Sequence, residues 1–303
     1  MCYKSLTYSS LYYILYTEKN MVIKNRRNKM KLETEELKKY EFTGEENTYN
    51  GNTVRRIRAI RDFGNIKAGD LGGWLEKEEN LSHRGNCWVA DNATIRGDAR
   101  ILDDAVASGN ATVYGRAIIR DGARVYDEAL IYGNTSIYRN AQVYGDATVY
   151  EGAEVNDNAK VFGEAKVYGN AQICGNAQIY GDASVYGLAK VFGNAKVHGF
   201  SSFGERILIG SDGNIEEYRD YMSISGLGRS WGMHITFYRN QDGGISVATD
   251  DSPDDTYSGT ISEFRKKIKT IYYGQYSYEG TKYEKAYNTA ADLAKIQLSE
   301  DAK

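Results

Sequence analysis

The chain has 303 residues and an almost balanced charge of −3, from 38 basic and 41 acidic side chains. That length allows two or three domains, and no segment carries the basic excess that would make duplex DNA or RNA a partner. Cys2, Cys87 and Cys174 stand far apart with no CxxC pair, which fits a reducing cytoplasm better than a disulfide framework, and there is no apolar run of the length a membrane span needs.

Residues 1–30 contain "SLYYILY" at 10–16, a short apolar stretch with no small-residue cleavage site. That is a poor signal peptide, and the expectation is an extraneous or disordered extension with the folded protein starting near Met30. Residues 31–86 read as a small β-rich cap. "YEFTGEENTYNGNTVRRIRAI" (40–60) is a hairpin around Asn50-Gly51. "GDLGGWLEKEENLS" (69–82) brings Trp74 and Leu75, expected to plug the start of the segment that begins at Cys87. Arg55, Arg56, Arg58 and Arg61 invite an anion site, although alternation along a strand splits them between faces.

From Cys87 onward the chain repeats. Alanine recurs every six residues from Ala93 to Ala195, with Thr135 as the one replacement, and an aliphatic comes two positions later, from Ile95 to Val197 (Ala107 is the small exception). The register holds for nineteen hexapeptides, 87 to 200, with no inserted loop. A turn former every six positions excludes a long helix. The A-x-V alternation is a short strand with Ala and Val on one face, and the Gly-Asn or Gly-Asp after it supplies positive φ cheaply. Proline, which would break a stacked ladder, is absent from 87–200. The repeat, taken as 87–204, is therefore a parallel β-helix.

Together with the lead-in "RAIRDFGNIKAGDLGGWLEKEENLSHRGNCWVADN" (58–92), this repeat resembles a group of bacterial and prophage hexapeptide-repeat proteins usually labelled acetyltransferases. The resemblance covers roughly 40–200. It implies three hexapeptides per turn and a left-handed coil; with the flanking segments read from their own residues, the expected fold is mainly β, a single-stranded parallel left-handed β-helix of about six coils with a small N-terminal β cap and a C-terminal α+β module. It also implies assembly of prisms into trimers and, in its enzymes, a histidine base beside a coenzyme A cleft between subunits.

With 18 residues to a coil, the slot after each inward aliphatic forms three outward columns. One is Tyr114, Tyr132, Tyr150, Tyr168 and Tyr186; the second is Tyr126, Tyr144, Phe162, Tyr180 and then His198; the third is mixed, Arg120, Tyr138, Asn156, Cys174 and Phe192. The two ring stripes either stiffen the coil or form an interface for another subunit or a flat ligand. Asn140, Asn158, Asn176 and Asn194 stack as an amide ladder. Glu128, Asp146, Glu164 and Asp182 stack as an acidic edge, either solvated or a candidate cation strip.

Residues 205–303 read as a separate α+β module. "YMSISGLG" is a strand, "MHITFYRNQDGGISVATDD" a hairpin turning at 242–244, and "TISEFRKKIKTIYYG" a helix opened by Thr260 and Glu263 at capping-box spacing. A last helix, roughly 281–298, carries Tyr283, Tyr287, Leu293, Ile296 and Leu298 near one side. "GLGRSWG" (226–232) lacks phosphate-loop spacing.

Acyl transfer needs a general base, and the histidines are His83 in the cap, His198 at the end of a ring column and His234 at the start of a strand. His198 and His83 are the catalytic candidates if the chain is an acyltransferase. No metal site is expected. The leading expectation is a non-catalytic binding or scaffold protein, prophage-encoded and sequestering a host protein or small metabolite. It would be a homo-oligomer, by resemblance a trimer, joined through the stripes, with neither cofactor nor membrane. The alternative is a coenzyme A-dependent acyltransferase using acetyl-coenzyme A, and a lesser one a polymer-forming structural protein.

Overall fold

A computed structural model describes residues 38–49, 51–210, 212–227, 233–252, 255–273 and 278–299. The expected extension at 1–30 with its boundary at Met30, Asn50 of the hairpin turn, and 228–232 of the Gly-rich segment lie outside these residues.

Each hexapeptide folds as a two-residue strand and a turn. In Thr112–Val113, Ile118–Ile119 and Arg124–Val125 the second residue points inward. Ala111, Val113, Ala117, Ile119, Ala123 and Val125 are all fully buried. Strands pair in parallel with the strand three hexapeptides on, Leu130 against Thr148 and Ile131 against Val149, so three strands complete a coil. At the turns, Gly115 and Gly133 take φ of +75° and +80°. Where a non-glycine holds this position it is often Asp, as at Asp127 and Asp157, and its carboxylate accepts the amide of the next coil, Gly145 at 3.2 Å and Gly175 at 3.0 Å. A short polar side chain thus offsets the left-handed strain with a bond along the stack. The Gly175 amide holds the Asp157 carboxyl below its usual range, and Arg139 adds to the effect.

The expected β-helix is present, but it has about eight coils where six were expected. Parallel ladders of eight strands run on two faces, one from Leu71–Leu75 to Ser202–Phe203 and the other from Trp88–Val89 to Asn214–Ile215, with seven strands on the third. The alanine rhythm ends at Ala195, yet Ser201, Phe203, Ile209 and Ile215 keep the inward slots and are fully or almost fully buried. The first coil is also longer than the rest. Leu75 pairs with Ile95 and Leu81 with Ile101, twenty residues apart, whereas Val89 and Ala107 are eighteen apart. The two extra residues lie between Leu81 and Val89, in the segment that holds His83.

The N-terminal cap is a hairpin, β1 (Tyr40–Tyr49) and β2 (Asn52–Ala59), turning through Gly51 at φ +81°. β2 pairs antiparallel with β3 (Leu71–Leu75), which in turn joins the first parallel ladder, so the hairpin covers that edge. Leu75 fills the first coil as expected, whereas Trp74 does not: it faces outward, half-buried, with the Arg56 guanidinium 5.3 Å from its ring. The arginines do not converge on an anion site. Arg55 lies 3.8 Å over Phe42, and Arg58 bonds Glu41 at 2.5 Å.

At the other end, β4 (Tyr221–Leu227), β5 (Met233–Arg239), β6 (Ile245–Ser252) and β7 (Asp255–Thr260) form an antiparallel sheet followed by α1 (Ile261–Tyr273) and α2 (Tyr278–Gln297). One face of the sheet closes the solenoid. Tyr238 and Ala248 join the coil core, Leu208 donates its amide to Thr236 Oγ1 (3.1 Å), and Ser246 donates to Asp212 (2.8 Å). The other face sends Ile235, Phe237 and Val247 into a second core with Phe264, Ile268 and Tyr287. The capping box is present: Thr260 donates its amide to Glu263 (2.8 Å), and Glu263 donates its amide to Thr260 Oγ1 (3.2 Å). On α2 the inner face is Tyr287, Ala290, Ala291 and Ala294, with Leu298 just beyond, while Leu293 and Ile296 are exposed, contrary to the sequence expectation. The helix lies on the sheet through small residues and so turns its larger aliphatics outward.

Candidate functional site

Both expected ring columns form. Tyr114, Tyr132, Tyr150, Tyr168 and Tyr186 stack at successive centroid distances of 5.0, 4.9, 4.8 and 5.1 Å, within 11° of parallel. Tyr126, Tyr144, Phe162, Tyr180 and His198 stack at 4.8, 5.0, 5.0 and 4.9 Å, within 12°. The spacing is the strand-to-strand distance of the coil, so the ladder itself sets the ring geometry. Each ring pair adds about 0.5–1.5 kcal/mol beyond its buried area. The rings are half-buried, with both faces of an interior ring covered by its neighbours. Burial raises the phenol pKa of Tyr126, Tyr132, Tyr144, Tyr150, Tyr168 and Tyr180. The third column stays mixed: Arg120 covers Tyr138 at 4.5 Å, below which lie Asn156 and the free, half-buried Cys174.

The asparagine ladder is continuous, each Nδ2 donating to the next Oδ1 across Asn140, Asn158, Asn176 and Asn194 at 3.3, 3.2 and 3.0 Å. Glu128, Asp146, Glu164 and Asp182 are exposed; Asn110 donates to Glu128, and Lys166 shares a shallow depression with the other three. Among the described residues no group of three or more His, Cys, Asp or Glu is arranged to hold a metal.

The two catalytic candidates sit at opposite ends. His83 lies in the long first coil, beside a cleft of about 740 Å³ shared with Lys38, Lys77, Glu78, Asp98 and Arg100. Its ring stacks on Tyr40 at 4.4 Å. Nδ1 accepts the Lys39 amide (3.3 Å), which puts the proton on Nε2, and Nε2 donates to Glu78 (2.9 Å). With both nitrogens engaged inside the protein, His83 has no lone pair for a substrate. The His83 bond, with help from Lys38, holds the Glu78 carboxyl below its usual range. His83 is thus a fastener of the cap.

Beside it lies a pair that sequence reasoning passed over. Lys39 is fully buried, and its ammonium donates to the carbonyls of Gly85 (3.2 Å) and Cys87 (2.7 Å) and to Cys87 Sγ (3.3 Å). Burial lowers the Lys39 pKa and raises that of Cys87. All three donors are used, so the pair seals the first coil. Nothing in the spacing of Lys39 and Cys87 marks them as neighbours.

His198 ends the second column, stacked on Tyr180, with Nε2 3.2 Å from Asn214 Oδ1. An amide oxygen only accepts, so the proton sits on Nε2 and Nδ1 carries the lone pair. The expected site residues therefore occupy two separate places: His83 is locked in the cap, and His198 continues a ring stripe.

Residues 141–155 and 171–187 match the family model described as YdcK Beta solenoid repeat. These two stretches of the coils are similar to that repeat. A curated relative, "Uncharacterized acetyltransferase YdcK" of Escherichia coli (strain K12), is 39% identical over 64 residues, which is 19% of this chain. The match spans 20% of that relative, about a fifth of its length. The expected resemblance to bacterial β-helix repeat proteins labelled as acetyltransferases is borne out. Among the described residues no helix is long and apolar enough to cross a membrane.

Proposed function

We propose that this chain is a non-catalytic binding scaffold whose two ring stripes are the surface by which it meets further copies of itself, assembling as a trimer. The observation that supports this most is the unbroken stacking of Tyr114 to Tyr186 and of Tyr126 to Tyr180, with no excursion between the coils that carry them. Phenol rings that remain half-wet in a single chain suit a contact with an apolar body and a polar rim. The commitment of both His83 nitrogens supports a non-catalytic reading. The free thiols of Cys87 and Cys174 fit a reducing cytoplasm. The covered ends of the ladder speak against polymers that stack coil on coil.

A second reading, a coenzyme A-dependent acyltransferase, has behind it the name of the relative and one observation, the Nδ1 lone pair of His198. Native mass spectrometry with and without acetyl-coenzyme A separates the two. The scaffold reading expects an oligomer with no coenzyme A adduct. A stoichiometric adduct, with turnover lost in His198→Ala, would replace it by the acyltransferase.

A further inference from the structure

The second ring column begins differently from the other two. Tyr114, the first ring of its column, lies under the Arg96 guanidinium at 5.2 Å, and Arg96 in turn lies 5.9 Å from the ring of Tyr49. Tyr138, the first ring of the third column, lies under Arg120 at 4.5 Å. In the second column the two slots N-terminal to Tyr126 hold Ser108 and Ala90, whose side chains stop within two atoms of the backbone. Two ring levels, roughly 10 Å of the stack, are left without a ring. That space is part of a cavity of about 640 Å³ whose lining includes Ala90, Ser108 and Tyr126 together with Trp88, Val106 and the 64–66 turn.

We propose that this cavity binds a purine nucleotide, its base stacked on the uncovered face of Tyr126 as the next ring of the column. Tyr126 and Tyr144 are 4.8 Å apart and 2° from parallel, so the floor is already set at the orientation a stacked base requires. The edges of the cavity are polar in a way that an incoming phenyl ring would not use. Asp104 accepts both of its Asn86 hydrogen bonds, at 3.1 and 2.9 Å, through Oδ1, and Oδ2 is the remaining acceptor for an exocyclic amine. Arg124, exposed on the cavity lining, is placed for a phosphate, which a guanidinium binds through two parallel hydrogen bonds. Stacking face, amine acceptor and phosphate donor together define a nucleotide. Binding here is independent of self-association, since Tyr126 is used through its face and not its edge.

Isothermal titration of the full chain with AMP and GMP tests it. The expected result is saturable one-site binding of at least one of them, with a Kd below about 1 mM. Ser108→Tyr, which lets the protein supply the missing ring itself, is expected to weaken that binding by about tenfold or more. Tyr126→Leu removes the floor and gives the same loss without adding bulk. Ile296→Ala, on the exposed side of α2 and away from both stripes, is expected to bind like the unchanged chain. Arg124→Ala should bring AMP down to the affinity of adenosine. Absence of saturable binding of both nucleotides would overturn the proposal, as would undiminished binding in a folded Ser108→Tyr or Tyr126→Leu chain.

Discussion

The ring of Tyr186 lies where a side chain at residue 204 would have to go: a β-carbon on Gly204 would fall 2.2 Å from Tyr186 Cε2. Residue 204 is the next slot of the column that runs from Tyr114 to Tyr186, so the column ends by resting its last ring on bare backbone. Gly204→Ala must push aside a ring that is stacked on Tyr168 at 5.1 Å. The expected destabilisation is about 1–3 kcal/mol, as for other overpacked sites, read from urea denaturation. An alanine variant as stable as the parent would mean that the ring is free to swing away.

Asn80 performs a comparable service at the other end. It is fully buried, and Nδ2 donates to the carbonyls of Gly97 (3.0 Å) and Ala99 (2.8 Å), while Oδ1 accepts the Lys77 amide (2.8 Å). One side chain of the first coil thus satisfies carbonyls whose counterparts one coil later, on Gly115 and Ala117, are taken by the backbone amides of Asp98 and Arg100. Asn80→Ala leaves these groups unpaired, with an expected cost of about 1–3 kcal/mol in thermal or chemical denaturation. The same substitution at exposed Asn158 in the amide ladder should cost less, because water replaces the lost partner.

Alkaline pH acts on the columns as a group. Burial raises the folded pKa of Tyr126, Tyr132, Tyr144, Tyr150, Tyr168 and Tyr180, so the unfolded chain loses these protons first. Their contribution to stability is fully present below the ordinary tyrosine value of about 10 and is lost as pH rises through it toward the folded values. Tyrosinate absorbance should therefore develop above about pH 10 in the folded chain, and the urea midpoint should fall over the same range. A midpoint that holds constant across that range would contradict the burial of the phenols.

Periodicity carried most of the fold, because in a solenoid each local rule is repeated until it is unmistakable. Ala, aliphatic, ring and turn positions all landed as their spacing implies. The limits of the ladder were less legible. At 201–215 Ser201, Phe203 and Ile215 fill the inward slots without the alanine that marked earlier coils, and in the first coil two extra residues shift the register between Leu81 and Val89. The site was legible only where stacking made it so. The columns follow from the eighteen-residue step, whereas the Lys39–Cys87 pair and the bonds that occupy His83 depend on how the hairpin folds back, and no spacing rule contains that. The outward turn of Leu293 and Ile296 has the same origin, since the sheet accepts the alanine face of α2.

The scaffold reading stands on the stripes as an association surface. Tyr150 and Tyr168 lie at the middle of the first one, 4.8 Å apart, and Ala90 already occupies a ring slot, so the coil tolerates alanine there. The direct measurement is native mass spectrometry of the full chain beside a Tyr150→Ala/Tyr168→Ala chain, with circular dichroism confirming that both are folded. The account predicts a trimer for the parent and a smaller species for the variant. A monomeric parent, or a variant that assembles equally well, would contradict it.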